Sequence, residues 1–576
     1  MSVQDPRFDL YRRAAAPALA PLWRRMAHSI WSIEHAFERA RADARPEEDT
    51  RVRISLVFLL FSMVFALLAA GATWAALFRG EVPRFSGGAA ALVRGDLTDR
   101  NGQLLAANIP HYAVYIDPTE VWDREHAARE IRRAYPAVSA ERLARVLEGD
   151  RRLILASGLT PSERRRLHAL GLGGVSFEAE DRRVYPLGSS AAHLIGFADT
   201  GGRGVSGAEL AFDDAVRAAG ASGGDVALSI DLRVQGVVEA ELLQAVEAAK
   251  AEAGVAMVVD ASTGEVLGMA SYPTFDPAHR DRASAGATLN RAVSAHYEMG
   301  SVFKSFVVAA GLETGAADVN TLFDASDPLM IGRRRIADFH AQNRVMTLEE
   351  VFLHSSNIGT SRLAIDMGPE VMRDFYGRFG LLEAAPIELR ESAAPVLPRN
   401  WSDSTLASLS FGYAIMITPA QMAAATAALV NGGVYRPLSL RRGGAGVEGR
   451  RVLSERTSAT LRDLMRANVL RGSGGRADAP GLRVGGKTGS ANKLVNGRYD
   501  PAQAIGTFAG VFPADGPADA RRYVVFVLID EPDSWPRTGG FVAAPAVGRI
   551  ADRIAPFVQV ERRFDPAPVA VAGAQP

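Results

Sequence analysis

Ser301 and Lys304 stand three residues apart at the head of an apolar run, Gly300-Ser-Val-Phe-Lys-Ser-Phe-Val-Val-Ala-Ala-Gly-Leu312. A serine hydroxyl is a weak nucleophile until a neighbouring base takes its proton. A lysine amine desolvated among apolar side chains loses its preference for the charged form and can be that base. Residues three apart share a helical face, so the spacing brings the Lys304 amine within reach of Ser301. Gly300 is a turn residue, which puts Ser301 at or near the helix N-terminus. Alone, Ser-x-x-Lys is common on solvated helices. Lysine usage sharpens it: among 65 Lys plus Arg, the lysines are Lys250, read on the exposed face of a predicted helix, Lys304, Lys487, and Lys493, read in a loop. Arginine cannot lose its proton in a protein, so lysine retained in an arginine-writing chain suits an amine that titrates.

Two further polar clusters accompany this pair. Ser355-Ser-Asn357 falls in a break between helical patterns, and Lys487-Thr-Gly-Ser490 follows Val484-Gly-Gly486 and leads into strand-rich sequence. Ser-x-Asn is by itself turn and cap chemistry. Lys-Thr-Gly carries more weight because lysine is scarce. All three clusters, in this order, need a scaffold that brings a helix start, an inter-helix loop and a strand together. The flanking patterns predict one: a strand over 226–230, an amphipathic helix over 233–251, and a β-hairpin of 255–260 and 265–270 around Ser262-Thr-Gly264. Mostly helical patterns then run to about Gly432, and the chain returns to strands, including 522–530. Strands at both ends with helices between predict an α+β fold: one antiparallel sheet closed by N- and C-terminal strands and covered by helices.

Upstream, residues 79–221 read as a separate, non-catalytic module. It holds a hairpin turn at Asn101-Gly102, charged helices over 123–135 and 161–170, and islands at Arg183-Val-Tyr-Pro186, Ala192-His-Leu-Ile-Gly196 and Gly207-Ala-Glu209. No nucleophile there has a base at a useful spacing, and His193, between apolar residues, reads as structural. Arg94 and Glu209, from its two most patterned islands, are expected to pair. The Gly-rich patch 219–224 reads as a linker. Residues 54–78 form an uncharged, mostly apolar run bounded by Arg53 and Arg79, longer than the ~30 Å of a bilayer core requires at ~1.5 Å per residue. The excess of arginines before it places a cytoplasmic tail at 1–53 and the bulk of the chain outside. The Pro/Ala tail over 561–576 carries no structural signal. A formal net charge of zero gives no case for nucleic acid, and the absence of cysteine excludes disulfides and thiolate chemistry.

Ser-x-x-Lys, Ser-x-Asn and Lys-Thr-Gly together resemble the signature of penicillin-binding proteins and serine β-lactamases. The resemblance runs from about 90 to 550. Arg94-Gly95, Asp99-Arg-Asn-Gly102 and Gly207-Ala-Glu209 look like the N-terminal module of the class B enzymes, while Ala270-Ser-Tyr-Pro-Thr-Phe-Asp-Pro277, Ser410-Phe-Gly-Tyr413 and Gly539-Gly-Phe-Val-Ala-Ala-Pro545 look like their transpeptidase domain. Asn357 in the second motif, with Ala192-His-Leu-Ile-Gly196, is similar to the division-specific, FtsI-type enzymes rather than the elongation-specific ones. Ser490 stands where the family usually has Thr. A Glu-x-x-Leu-Asn stretch, which supplies the deacylating glutamate of class A β-lactamases, is missing from the sequence.

The resemblance implies a peptidoglycan D,D-transpeptidase and a target of β-lactams, with a transpeptidase domain over 222–560. Ser301 would be the nucleophile and Lys304 its base, with Ser355 and Lys487 relaying a proton to the leaving D-Ala. Asn357 would hold the donor peptide amide. Thr488, Gly489 and Ser490 would form the substrate-binding strand, with the hydroxyls of Thr488 and Ser490 on the terminal carboxylate, and the N–H groups of Ser301 and Ser490 would form the oxyanion hole. The chemistry calls for no metal and no organic cofactor. The implied partners are peptidoglycan stem peptides, the inner membrane, a septal glycosyltransferase of the FtsW type and other division proteins. The alternatives are an elongation-type transpeptidase, a β-lactam sensor and a non-catalytic septal scaffold.

Overall fold

A computed structural model describes residues 54, 57–69, 94–444, 446–517 and 519–564. The chain divides into two units, 1–90 and 91–576. In the first, the described residues of the expected 54–78 span are helical and present Phe58, Leu59, Phe61, Phe65 and Leu67 outward. The rest of that span and the tail at 1–53 lie outside the described residues. Among the described residues no helix is long and apolar enough to cross a membrane.

The second unit opens with a small sheet of strands β1 (Asp96–Thr98), β2 (Leu104–Ile116), β3 (Leu153–Leu159), β4 (Val175–Val184) and β5 (Asp225–Ala227). The Asn101-Gly102 turn joins β1 to β2, β3 and β4 both pair antiparallel with β2, and β5 lies parallel to β1. Arg94 and Glu209 do pair, at 2.6 Å, and both are buried. Arg183 holds the other carboxylate oxygen at 2.6 Å, and Arg94 also reaches Asp213. The patch at 219–224 is not a linker. Asp213–Ser222 is a helix whose C-cap is Gly223 at φ +70°, so alanine propensity outweighs Gly220 until a left-handed residue is needed.

The large sheet contains β6 (Ala253–Asp260), β7 (Val266–Tyr272), β8 (Gly485–Val495), β9 (Arg498–Phe512) and β10 (Tyr523–Asp530). Its order is β8-β9-β10-β6-β7, with every pair antiparallel, so N- and C-terminal strands close one sheet as expected. β6 and β10 are buried at every position, because helices cover both faces. Along β10, Val524, Phe526 and Leu528 enter one core, while Tyr523, Val525, Val527 and Ile529 enter the other, the two-residue alternation of a pleated strand. Helices α1 (Leu232–Ala249) and α6 (Ala544–Ile554) supply the second core. The first is filled by α2 (Lys304–Thr314), the kinked α3 (Asn357–Arg378), α4 (Pro419–Val430) and α5 (Glu455–Arg471). α2 is buried from Lys304 to Gly311, which makes it a central helix rather than an amphipathic one. His193 is buried, with Nε2 2.7 Å from the Ala287 carbonyl, a structural position as its apolar setting suggests.

Candidate active site

Ser301 does not begin the α-helix proper. It lies in a 3-10 turn, Gly300–Phe303, and α2 starts at Lys304. The turn packs directly on the β8 strand. A Cβ on Gly300, whose φ is +62°, would stand 2.5 Å from the Ser490 carbonyl oxygen, and one on Gly489 would stand 2.3 Å from the Met299 carbonyl. Only hydrogen at these two Cα atoms allows the two backbones to touch. Thr507, on the next strand, donates its hydroxyl to Met299 O at 3.1 Å and fixes the same contact from behind. The nucleophile turn and the Lys-Thr-Gly strand are thus joined as the three-cluster reading requires.

The second cluster arrives from the break between the helix Leu348–Leu353 and α3. Ser355 is held at φ +57°, a left-handed conformation uncommon for serine, which turns its hydroxyl and carbonyl toward the lysines. Ser356 caps α3 by accepting the Gly359 N–H at 3.0 Å. Asp338 anchors the loop by accepting the Ser356 hydroxyl at 2.7 Å and the Ile358 N–H at 3.0 Å. Sequence reasoning missed Asp338. It follows the arginine run 333–335, and nothing local marks a residue whose partners lie 18 and 20 positions away.

The Lys304 amine is buried and turned to this loop. It donates to the Ser355 carbonyl, to Ser355 Oγ at 3.1 Å and to Asn357 Oδ1 at 2.8 Å. Among the described residues no hydrogen bond joins it to Ser301, although the two share one turn. Lys487, on β8, donates to the same Ser355 Oγ at 3.0 Å, and its amine lies 5.6 Å from the centre of the Phe352 ring. Burial drives Lys304 well below the ordinary lysine range, the Lys487 charge adds to this, and Asp338 pulls the other way. Burial brings Lys487 down to about 7. Two amines converging on one hydroxyl can hold and move a proton there, and neither makes a carboxylate salt bridge among the described residues.

Of the remaining site residues, Asn357 opens α3 and Thr488, Gly489 and Ser490 lie on β8. The Asn357 amide is occupied at both ends, its Nδ2 donating to the Ala337 carbonyl at 2.9 Å. The Thr488 hydroxyl lies 2.7 Å from that of Ser473, and Ser490, which is exposed, accepts the Gly539 N–H at 3.1 Å on its hydroxyl. Ser473 is a second residue that the sequence did not flag, since one serine in a glycine-rich turn has no pattern. Lys493, which the sequence places in a loop, is on β8 and pairs with Asp530 and Glu531, both at 2.6 Å. Lys250, expected on an exposed helical face, is exposed but forms the C-cap of α1 at φ +48°. Among the described residues no group of three or more His, Asp or Glu side chains is placed to hold a metal.

Comparison with known proteins gives the same outline. The sequence profile of the penicillin binding protein transpeptidase domain matches residues 254–552, and that of the penicillin-binding protein dimerisation domain matches 91–211. The chain is 49% identical over 561 residues to the probable peptidoglycan D,D-transpeptidase FtsI of Caulobacter vibrioides, with 95% of each chain covered. It is 34% identical to the peptidoglycan D,D-transpeptidase FtsI of Escherichia coli K12, covering 81% of this chain and 84% of that one. Among solved structures it is similar to penicillin binding protein 3 of Mycobacterium tuberculosis in complex with aztreonam. The TM-score is 0.64 at 28% identity, covering 82% of this chain and 97% of the other.

Proposed function

This chain belongs to the penicillin-binding protein transpeptidases, and on that premise we propose that it is a septal peptidoglycan D,D-transpeptidase working through an acyl-enzyme on Ser301. The observation that carries the residue assignment is the placement of Ser355 Oγ, 3.1 Å from Lys304 and 3.0 Å from Lys487, beside the turn that bears Ser301. A neutral amine has two N–H donors and one lone pair. The Ser355 carbonyl and Asn357 Oδ1 take two donors of Lys304, which leaves the lone pair for a hydroxyl proton. In acylation, Ser301 Oγ attacks the carbonyl of the penultimate D-Ala and its proton passes to Lys304. The N–H groups of Ser301 and Ser490 stabilise the oxyanion. The proton then travels by way of Ser355 and Lys487 to the departing D-Ala amine, and an amine of a neighbouring stem peptide takes the acyl group. Asn357 orients the donor amide by exchanging its Ala337 contact for the substrate. Thr488 and Ser490 take the donor carboxylate, with Gly489 giving the strand its close approach.

The same reading covers the ends of the chain. Residues 54–78 form a single-pass anchor in the inner membrane, with the N-terminus cytoplasmic and the module (79–221) and transpeptidase domain (222–560) on the outer side. At the septum the partners are an FtsW-type glycosyltransferase and other division proteins. The test of the chemistry is covalent labelling by fluorescent penicillin. Wild type is expected to label one to one and Ser301→Ala to lose the label while remaining folded. Stoichiometric labelling of Ser301→Ala would remove the assignment.

A further inference from the structure

Three segments of chain meet at one carboxylate that the mechanism above does not use. Glu298 lies three residues before Ser301, is 7% exposed, and has no ion-pair partner among the described residues. Its Oε1 accepts the Ala414 N–H at 2.7 Å and the Tyr499 hydroxyl at 3.0 Å. Both donors sit on parts of the site that need fastening. Ala414 stands at φ +64°, in the left-handed region, two residues after Gly412, on which a Cβ would lie 2.2 Å from the Gly300 carbonyl. Tyr499 sits near the tip of the β8–β9 hairpin. The pairing there slips from Asn492↔Ala504 to Lys493↔Asp500, so residues 501–503 bulge out and the tip is not held in line by the regular ladder. Tyr413 adds a second contact, its ring 4.9 Å from that of Tyr499 and its hydroxyl accepting the Asn492 N–H at 3.1 Å.

We propose that Glu298 is a positioning residue of the transpeptidation. Through one oxygen it ties the 410–414 loop and the hairpin tip to the turn that carries Ser301, and so holds these two segments in place beside the nucleophile. A buried carboxylate without a counter-ion is costly, and an acceptor that satisfies two donors at once offsets that cost. Oε2 takes no hydrogen bond among the described residues, so the acceptor at Oε1, and not the charge, is what the site uses. The inference rests on the reading of Ser301 as the acylated residue.

The experiment measures penicillin acylation of the full-length, detergent-solubilised chain, separating initial binding from the acylation step, with the melting temperature of each variant as a folding check. Wild type comes first: if it does not label at Ser301, the reading of the nucleophile fails, independently of what Glu298 does. With wild type labelling, Glu298→Gln keeps the acceptor and should acylate within about threefold of wild type. Glu298→Asp keeps the charge but is too short, and its acylation step should slow by about 30-fold or more, because an ångström of misplacement is enough for such a loss. Tyr499→Phe should slow that step several-fold, and should cost nothing further when combined with Glu298→Asp. Glu298→Asp faster than or equal to Glu298→Gln would overturn the proposal, as would additive losses in the double variant. Should Glu298→Asp fail to fold, Tyr499→Phe, which removes a single hydroxyl from a half-exposed ring, decides: unchanged acylation overturns the proposal.

Discussion

Lys304 and Lys487 share the Ser355 hydroxyl, and burial depresses both amines, Lys487 to about 7. For a lysine whose folded value lies below its unfolded value of ~10.4, the unfolded chain binds more protons across that interval, so stability rises with pH there. The cost of burying Lys487 is therefore fully present below about 7 and is relieved as pH rises from 7 toward ~10.4. Lys487→Met keeps the volume and removes the titration. Its melting temperature should exceed that of wild type at about pH 6, with the gap narrowing by about pH 9; a gap independent of pH would count against the depressed value. Lys304 carries a second expectation. Arginine at 304 keeps a charge and cannot give up its proton, so Lys304→Arg should lose about 10²–10⁴ in the second-order acylation rate. These two lysines were legible in the sequence because they break an arginine habit within short motifs. Asp338, Ser473 and the fastening role of Glu298 were not, because each acts on partners that are distant in sequence and come together only in the fold.

The turn and the strand that carry the first and third clusters keep their relative positions by close backbone contact, and side-chain hydrogen bonds from Lys304, Lys487 and Asp338 hold the loop. Gly489 is the tightest point: an added Cβ would lie 2.2 Å from Thr507 Oγ1 and 2.3 Å from the Met299 carbonyl. Neither atom can yield freely, since Thr507 Oγ1 is itself hydrogen-bonded to Met299 O and both residues are buried. Gly489→Ala should therefore push the Ser301 turn off β8, cost about 1–3 kcal/mol of stability by overpacking, and depress acylation well beyond that stability loss. Thermal melts alongside penicillin labelling would test it, and wild-type labelling of a folded Gly489→Ala protein would show the contact to be slack. At this scale most elements could be read ahead, because their hydrophobic periods are strong: the 253–260 and 266–272 hairpin, the 232–249 helix and the 523–530 strand all fall within a few residues of expectation. The misreadings sit where composition and context disagree. Alanines overrode Gly220 in the helix at 213–222, and Lys493 looked like a loop residue until its strand neighbours Asp530 and Glu531 were in place.

The module and the transpeptidase part of residues 91–576 share a core. Leu97, Leu105, Tyr185 and Leu194 belong to the same buried cluster as Val255, Met257, Phe303 and Phe306. Polar contacts run along the same seam. Asp99 accepts the Leu232 N–H at 3.1 Å at the start of α1, and Glu239 on α1 accepts the Ser190 hydroxyl at 2.7 Å and the Ala191 N–H at 2.6 Å. Damage to the module should therefore be felt at the penicillin site as lost stability, not as altered chemistry. Glu209 gives the sharpest test. Its two oxygens neutralise Arg94 and Arg183, whose side chains are 1% and 7% exposed, and Asp213 can compensate Arg94 alone. Removing one partner of a buried ion pair leaves a charge that water cannot reach, at about 3–5 kcal/mol. Glu209→Ala should label with penicillin at the wild-type rate at 25 °C, since no labelling group has moved. On heating, its labelling should disappear at a lower temperature than that of wild type, together with the loss of the module's structure, because the shared core lets the two parts fail as one. Labelling that persists after the module has melted would mean that the seam does not couple them.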